Sequence, residues 1–273
     1  MQAPQVIEAI KIIREIGTEG SAPLLVTGND FADYYAKPIR TPAPCIEIIN
    51  EFLCSNLLDR LGLKTPEIRL IKIDYDLTEG KNLSNRYRKE YFDKPFFGSK
   101  SISGHIEIET YFRLFNRRDL SLFAVPEDII KIGFFDLWVG NKDRKPSNAN
   151  VIISENEAKK FELHPIDHGA AFCYMAHREV SDVRLWLNPS FSILTTPMAK
   201  IIAKEVIGSE IDAFGNDNIL RIINLCKENF NDVLASIPKD LGFSKKASKH
   251  LEEFLFNDKR NAALWERSKQ LLA

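Results

Sequence analysis

GNKDRKPSNANVII, residues 140–153, followed by IDHG at 166–169, decides the fold. Asp143 lies in a loop after a predicted helix, Asn148 stands directly before a predicted strand (NVII), and Asp167 closes the next strand (KKFELHPI). The polar turn SENEA joins the two strands. A hairpin returns its end towards its beginning, so Asp167 is expected beside Asn148 and the loop of Asp143.

Two carboxylates and an amide at one hairpin suit phosphoryl transfer, which needs positioning and charge neutralisation more than covalent help. Magnesium takes few, hard oxygen ligands, and Asp167 with the amide oxygen of Asn148 can supply them. Asp143, not needed as a ligand, can accept the proton of an attacking hydroxyl. The D-x-x-x-x-N spacing from Asp143 to Asn148 is by itself a common turn or cap pattern. It becomes specific through the helix before it, IDHG after it and the hairpin between the two.

Working outward, Pro126-Glu127-Asp128 marks the start of the preceding helix, Ile130, Phe134, Leu137 and Trp138 form its apolar face, and Gly140 ends it. From Ala9 to Ile39, short apolar runs separated by turn residues predict three antiparallel strands, although Ile10, Ile13 and Ile16 would also suit a helix. Ile46, Ile49, Phe52, Leu53, Leu57 and Leu61 recur at helical spacing, predicting a helix over roughly Ala43 to Leu61. EIRLIKIDYD alternates as a strand, and FFGSK can begin another. Between them LTEGKNLSNRYRKEYFDKP reads as an exposed excursion. Long helical stretches such as NILRIINLCKENFNDVLASI, which includes Asn229, and SKKASKHLEEFLF run to the C-terminus. The expected fold is α+β and bilobal: residues 1–103 form a small antiparallel-sheet lobe with one helix, and residues 104–273 a larger, mainly helical lobe.

The 37 basic and 38 acidic residues nearly cancel, so there is no global field to attract nucleic acid or acidic membrane. No run of about 18 apolar residues is present. Cys45, Cys54, Cys173 and Cys226 lack CxxC spacing and read as reduced core residues. A cytoplasmic protein without membrane span or direct nucleic-acid contact is expected.

Asp143 to Asn148 and Ile166 to Gly169 resemble the catalytic and metal loops of kinases. More narrowly, Phe135-Asp136-Leu137-Trp138 leading into Asn141-Lys142-Asp143-Arg144 resembles the HipA-like kinases, with a more distant similarity to phosphoinositide lipid kinases. Asn141 stands where typical protein kinases carry histidine, and His168 where they carry phenylalanine. The resemblance implies ATP bound between two lobes with Mg²⁺, and a hydroxyl acceptor on a protein or, in lipid relatives, an inositol ring. A small-molecule acceptor, or a pseudokinase that only binds nucleotide, uses the same fold. The resemblance also implies a cognate regulatory protein.

It further implies a loop over the phosphates, a lysine on the third strand and a glutamate on the following helix. Gly17 to Ala22 is that loop, with Gly20 and Ser21 the candidates for phosphate contact. Lys37 lies in an apolar, aromatic strand, and Glu51 lies close to the apolar face of its helix. An ion pair between them resolves two otherwise costly burials.

Other residues are set aside. His164 and His168 flank Asp167, but a hairpin points them differently. Arg144 and Lys145 are placed to contact phosphate, although a basic pair beside a carboxylate is as often simple charge balance, and Asp136 reads as structural support accepting hydrogen bonds from loop amides. The run NRYRKEYFDKPFF packs on a lobe more readily than it stacks on RNA.

Overall fold

The structure is a computed structural model of the chain and describes residues 4–17, 22–40, 43–174, 176, 177, 180 and 192–273. The early apolar runs form β1 (Val6–Glu15), β2 (Leu24–Gly28) and β3 (Asp33–Lys37). β1 is extended, and breaks in its register on β2 between Ala9 and Lys11 and between Ile12 and Arg14 bend it. Those breaks let Ile7 and Ile12, which share no simple alternation, both become buried.

After α1 (Ile46–Arg60), β4 (Ile68–Lys72) and β5 (Phe96–Lys100) complete a five-stranded sheet in the order β1-β2-β3-β5-β4. Its neighbours pair antiparallel except at one seam: β4 runs parallel to β1, with Val6 opposite Leu70 and Glu8 opposite Lys72, and closes the sheet. The expected all-antiparallel sheet is corrected there. Closure removes the two edges that an open sheet would leave unpaired. Leu24, Val26, Tyr34, Ala36, Ile71 and Phe96 fill the interior. Phe92, from the segment expected to be an exposed excursion, joins this core and packs edge-on against Tyr75.

α1 contributes to a different, larger core. Its Ile48, Ile49, Phe52, Leu53, Leu57 and Leu58 are buried in one cluster with α3 (Asp128–Val139) and the C-terminal helices. A helix buried on nearly every side must find partners for its polar side chains. β6 (Ile106–Glu107) and α2 (Glu109–Leu114), not expected from the sequence, precede α3. β7 (Val151–Glu155) and β8 (Phe161–Pro165) form the expected hairpin, to which β6 adds a third strand.

From residue 197 onward the chain is mainly helical: α4 (Pro197–Ile202), α5 (Ile211–Gly215), α6 (Arg221–Glu228), α7 (Phe230–Ala235), α8 (Lys245–Leu255) and α9 (Asp258–Leu272). The long helix expected around Asn229 is interrupted there, where Asn229 turns its own amide back to the Leu225 carbonyl at 2.9 Å. α3 is fixed against α8 and α9, because Trp138 donates Nε1–H to Leu255 O at 2.8 Å and Arg260 donates to Trp138 O. Among the described residues no helix is long and apolar enough to cross a membrane. Cys54 and Cys226 are buried, Cys45 and Cys173 half-buried, and all four are free thiols.

Candidate active site

α3 stops at Gly140, whose left-handed backbone (φ 64°) turns the chain into the Asp143 loop. The loop is organised by Arg144, which is fully buried. Arg144 Nε donates to Asp136 Oδ1 at 2.9 Å, and its other nitrogens donate to the carbonyls of Ala149, Asn150 and Ile166 at 3.3, 2.6 and 3.1 Å. One guanidinium thus ties the catalytic-type loop, the start of β7 and the end of β8 together. Arg144 is therefore structural and unavailable to phosphate. Asp136 supports the loop as expected, but its carboxylate takes Arg144 and the Asn141 side chain, while its main-chain carbonyl accepts Asn141 N–H at 2.8 Å. Burial pushes the Asp136 carboxyl up to about 7, against the pull of Arg144 and Asn141.

Lys145 and Asn148 exchange both main-chain hydrogen bonds, at 3.1 and 2.9 Å, closing a tight turn with Pro146 at its second position. Asn148 then donates Nδ2–H to the Asp143 carbonyl at 3.1 Å. A donating nitrogen leaves the amide oxygen of Asn148 for other partners. Val151 pairs with Pro165, and Ile166 N–H donates to Asn150 O, so Asp167 follows directly across from the Asn148–Asn150 segment. Asp167 has a left-handed backbone (φ 56°), an unusual conformation for a non-glycine residue and one that clusters at functional sites.

Lys37, the last residue of β3, reaches the carboxylate expected for it and a second that was not: Nζ lies 2.5 Å from Glu51 Oε1 and 2.8 Å from Asp167 Oδ1. Burial disfavours the ammonium, but Glu51 and Asp167 outweigh it and raise the Lys37 pKa. Burial also disfavours the Glu51 carboxylate, yet Lys37 and His168 hold its pKa below the ordinary range. Glu51 Oε2 accepts the His168 amide at 3.0 Å.

The neighbouring Asn50, missed in the sequence, completes this hold. Its Nδ2 donates to Gly169 O and Ala171 O, both at 2.8 Å, and its Oδ1 meets His177 Nε2 at 2.7 Å. Because an amide oxygen only accepts, His177 carries its proton on Nε2. A buried amide on an apolar helix was the signal for such a role. Burial depresses His177 from 6.5 to about 4. The unfolded chain therefore binds this proton first, so the stability from neutral His177 is complete above about pH 6.5 and lost as pH falls towards 4. A His177→Gln protein should show a shallower loss of melting temperature over that interval; an unchanged slope would remove His177 as the cause.

Lys37, Glu51, Asp167 and Asn150 line one cavity of about 290 Å³. Ile16, Phe97, Ile152 and Ile166 give it apolar walls, and His105 and Glu107 stand at its side. These wall residues carried no sequence signal. Gly20 and Ser21 lie outside the described residues, but the stem of their loop is paired, with Ile16 N–H donating to Pro23 O at 2.8 Å, and both stem residues line the cavity. His164 Nε2 contacts Ser154 Oγ at 2.8 Å, whereas His168 stacks edge-on against Phe135, so the two rings point to different partners.

A family model described as HipA-like kinase matches residues 9–266. Among solved structures, the chain is similar to a Helicobacter pylori proinflammatory kinase, CtkA, with a TM-score of 0.56 and 14% identity over 98% of each chain. It is also similar to the Golgi casein kinase with Mn/ADP bound, with a TM-score of 0.50 and 12% identity over 99% of this chain and 74% of that one. At such identities the likeness is one of fold, and that fold is kinase-like. No curated protein matches the sequence.

Proposed function

The chain belongs to the HipA-like kinase family, and from that premise we propose that it is an ATP- and Mg²⁺-dependent kinase transferring the γ-phosphoryl group to a serine or threonine hydroxyl of a protein. The observation that carries this is the convergence of Lys37, Glu51 and Asp167 from three separate parts of the fold in the lining of one cavity. A cavity that combines apolar walls with charged side chains suits a nucleotide, its base among Ile16, Phe97, Ile152 and Ile166 and its phosphates towards Lys37.

The donor set fits a hard divalent cation. Asp167 engages Lys37 through Oδ1, which leaves its other oxygen, and Asn148 turns its nitrogen to Asp143, which leaves its carbonyl oxygen. Bound there, Mg²⁺ supplies neutralisation of charge on the phosphate oxygens. Lys37 binds α/β-phosphate oxygens, and Glu51 keeps its ammonium in place. Gly20 and Ser21 are kept as the phosphate-contact candidates on the family resemblance. Asp143 takes the acceptor proton as the hydroxyl oxygen bonds to γ-phosphorus, and the bond to the β-phosphate oxygen breaks with its electron pair leaving on ADP.

Residues 1–103 act as the nucleotide lobe and 104–273 as the catalytic lobe. A cognate regulatory protein remains part of this reading, as does a cytoplasmic setting, which suits four free thiols. The test is incubation with γ-labelled ATP and Mg²⁺, with a mixed protein acceptor, beside Asp167→Asn. Label on protein serine or threonine with wild type alone is the expected result. Label only on a small molecule or lipid would replace the acceptor class. Metal-dependent nucleotide binding without any transfer would make the chain a nucleotide-binding pseudokinase, and no binding would overturn the proposal.

A further inference from the structure

Three asparagines converge on Asp143, each on a different part of it. Asn141 Oδ1 accepts the Asp143 main-chain N–H at 3.2 Å, Asn148 Nδ2 donates to its carbonyl at 3.1 Å, and Asn150 Nδ2 donates to carboxylate Oδ2 at 3.4 Å. Only the last bond acts on the atoms that would receive a proton. We propose that Asn150 is the positioning residue for Asp143, holding one carboxylate oxygen so that the other faces the acceptor hydroxyl.

The polarity of the contact is fixed by chemistry: an ionised carboxylate only accepts, so the amide nitrogen must face it. The position of Asn150 is fixed as firmly. Its carbonyl accepts from Arg144 at 2.6 Å and from Ile166 N–H at 2.8 Å, anchoring it to the residue before Asp167. Its backbone is left-handed (φ 46°), a conformation that asparagine tolerates better than most residues and that turns the chain just before β7. Asn150 also lines the nucleotide cavity with Lys37 and Asp167. It is thus the side chain that touches both the cavity and the base. A 3.4 Å contact without ligands is of the long kind that tightens when substrate binds.

The inference rests on the kinase reading above, and its test separates the two. Asn150→Gly removes the amide while keeping a residue suited to positive φ. Asn150→Asp keeps the shape but removes the donor. ATP turnover at saturating Mg²⁺ is compared for wild type, both variants and Asp143→Ala, with nucleotide affinity measured separately as a check on the fold. The expected result is a fall in kcat of roughly tenfold to a hundredfold in both variants, with KM for ATP and nucleotide affinity within about twofold of wild type in Asn150→Gly, the variant that adds no charge to the cavity. Wild-type kcat in Asn150→Gly, with Asp143→Ala inactive, would overturn the role of Asn150 alone. A raised KM with unchanged kcat would make Asn150 a nucleotide contact instead. An inactive wild type, or an active Asp143→Ala protein, would remove the kinase reading and this inference with it.

Discussion

Asp143→Ala will bind nucleotide as wild type does and transfer phosphate at least about 10²- to 10⁴-fold more slowly, the range a positioned general base contributes. The separation follows from geometry: Asp143 is not among the residues lining the cavity, whereas Lys37, Glu51 and Asp167 are. Its main-chain contacts survive the substitution, because Asn141 and Asn148 bond to Asp143 N–H and C=O rather than to the carboxylate. Single-turnover transfer and equilibrium nucleotide titration on the same preparation measure the two halves. Full transfer by the variant would take the base role away from Asp143. Lost nucleotide affinity would mean that the side chain shapes the cavity after all.

The largest effect on stability is expected from Arg144→Met. The substitution removes an ion pair and three hydrogen bonds to carbonyls, and strands the Asp136 carboxylate, whose Oδ2 already lacks a partner in the structure. Breaking one side of a buried pair costs about 3–5 kcal/mol, or a melting temperature lower by roughly 10 °C. Adding Asp136→Leu should recover part of the loss, because the carboxyl is then no longer buried without its partner. Thermal melts of the three proteins decide it: a single variant within about 1 kcal/mol of wild type would show that the β7 and β8 ends are held by other means.

The residues that form local patterns were the legible ones. Strands β2, β3 and β5, helix α1 and the β7–β8 hairpin follow from apolar periodicity and turn chemistry, and Lys37 and Glu51 stood out because charge in an apolar run demands a partner. Closure of the sheet was not legible, since the parallel pairing of β4 on β1 joins residues about sixty positions apart and leaves no mark on either strand. Arg144 was misjudged for a related reason. Beside Asp143 in sequence it looks like a surface charge, and only the fold brings Asp136 and three carbonyls around it. Asn150 was hidden by Asn148, which has the familiar spacing from Asp143. Asn50 could have been found by the logic that found Glu51, since both are polar residues on the same buried helix.

Lys37 belongs to a strand of the closed barrel, which has its own interior, whereas Glu51 stands on α1, whose apolar residues are shared with the C-terminal helices. The ion pair therefore joins two hydrophobic cores, which also meet where Phe97 of β5 packs edge-on against Phe52 of α1. α1 is in turn tied to the far side of the site, where Asn50 and Glu51 grip residues 168–171. Because Lys37 reaches Asp167 as well, its two distances together gauge how β3 stands relative to α1 and to the end of β8.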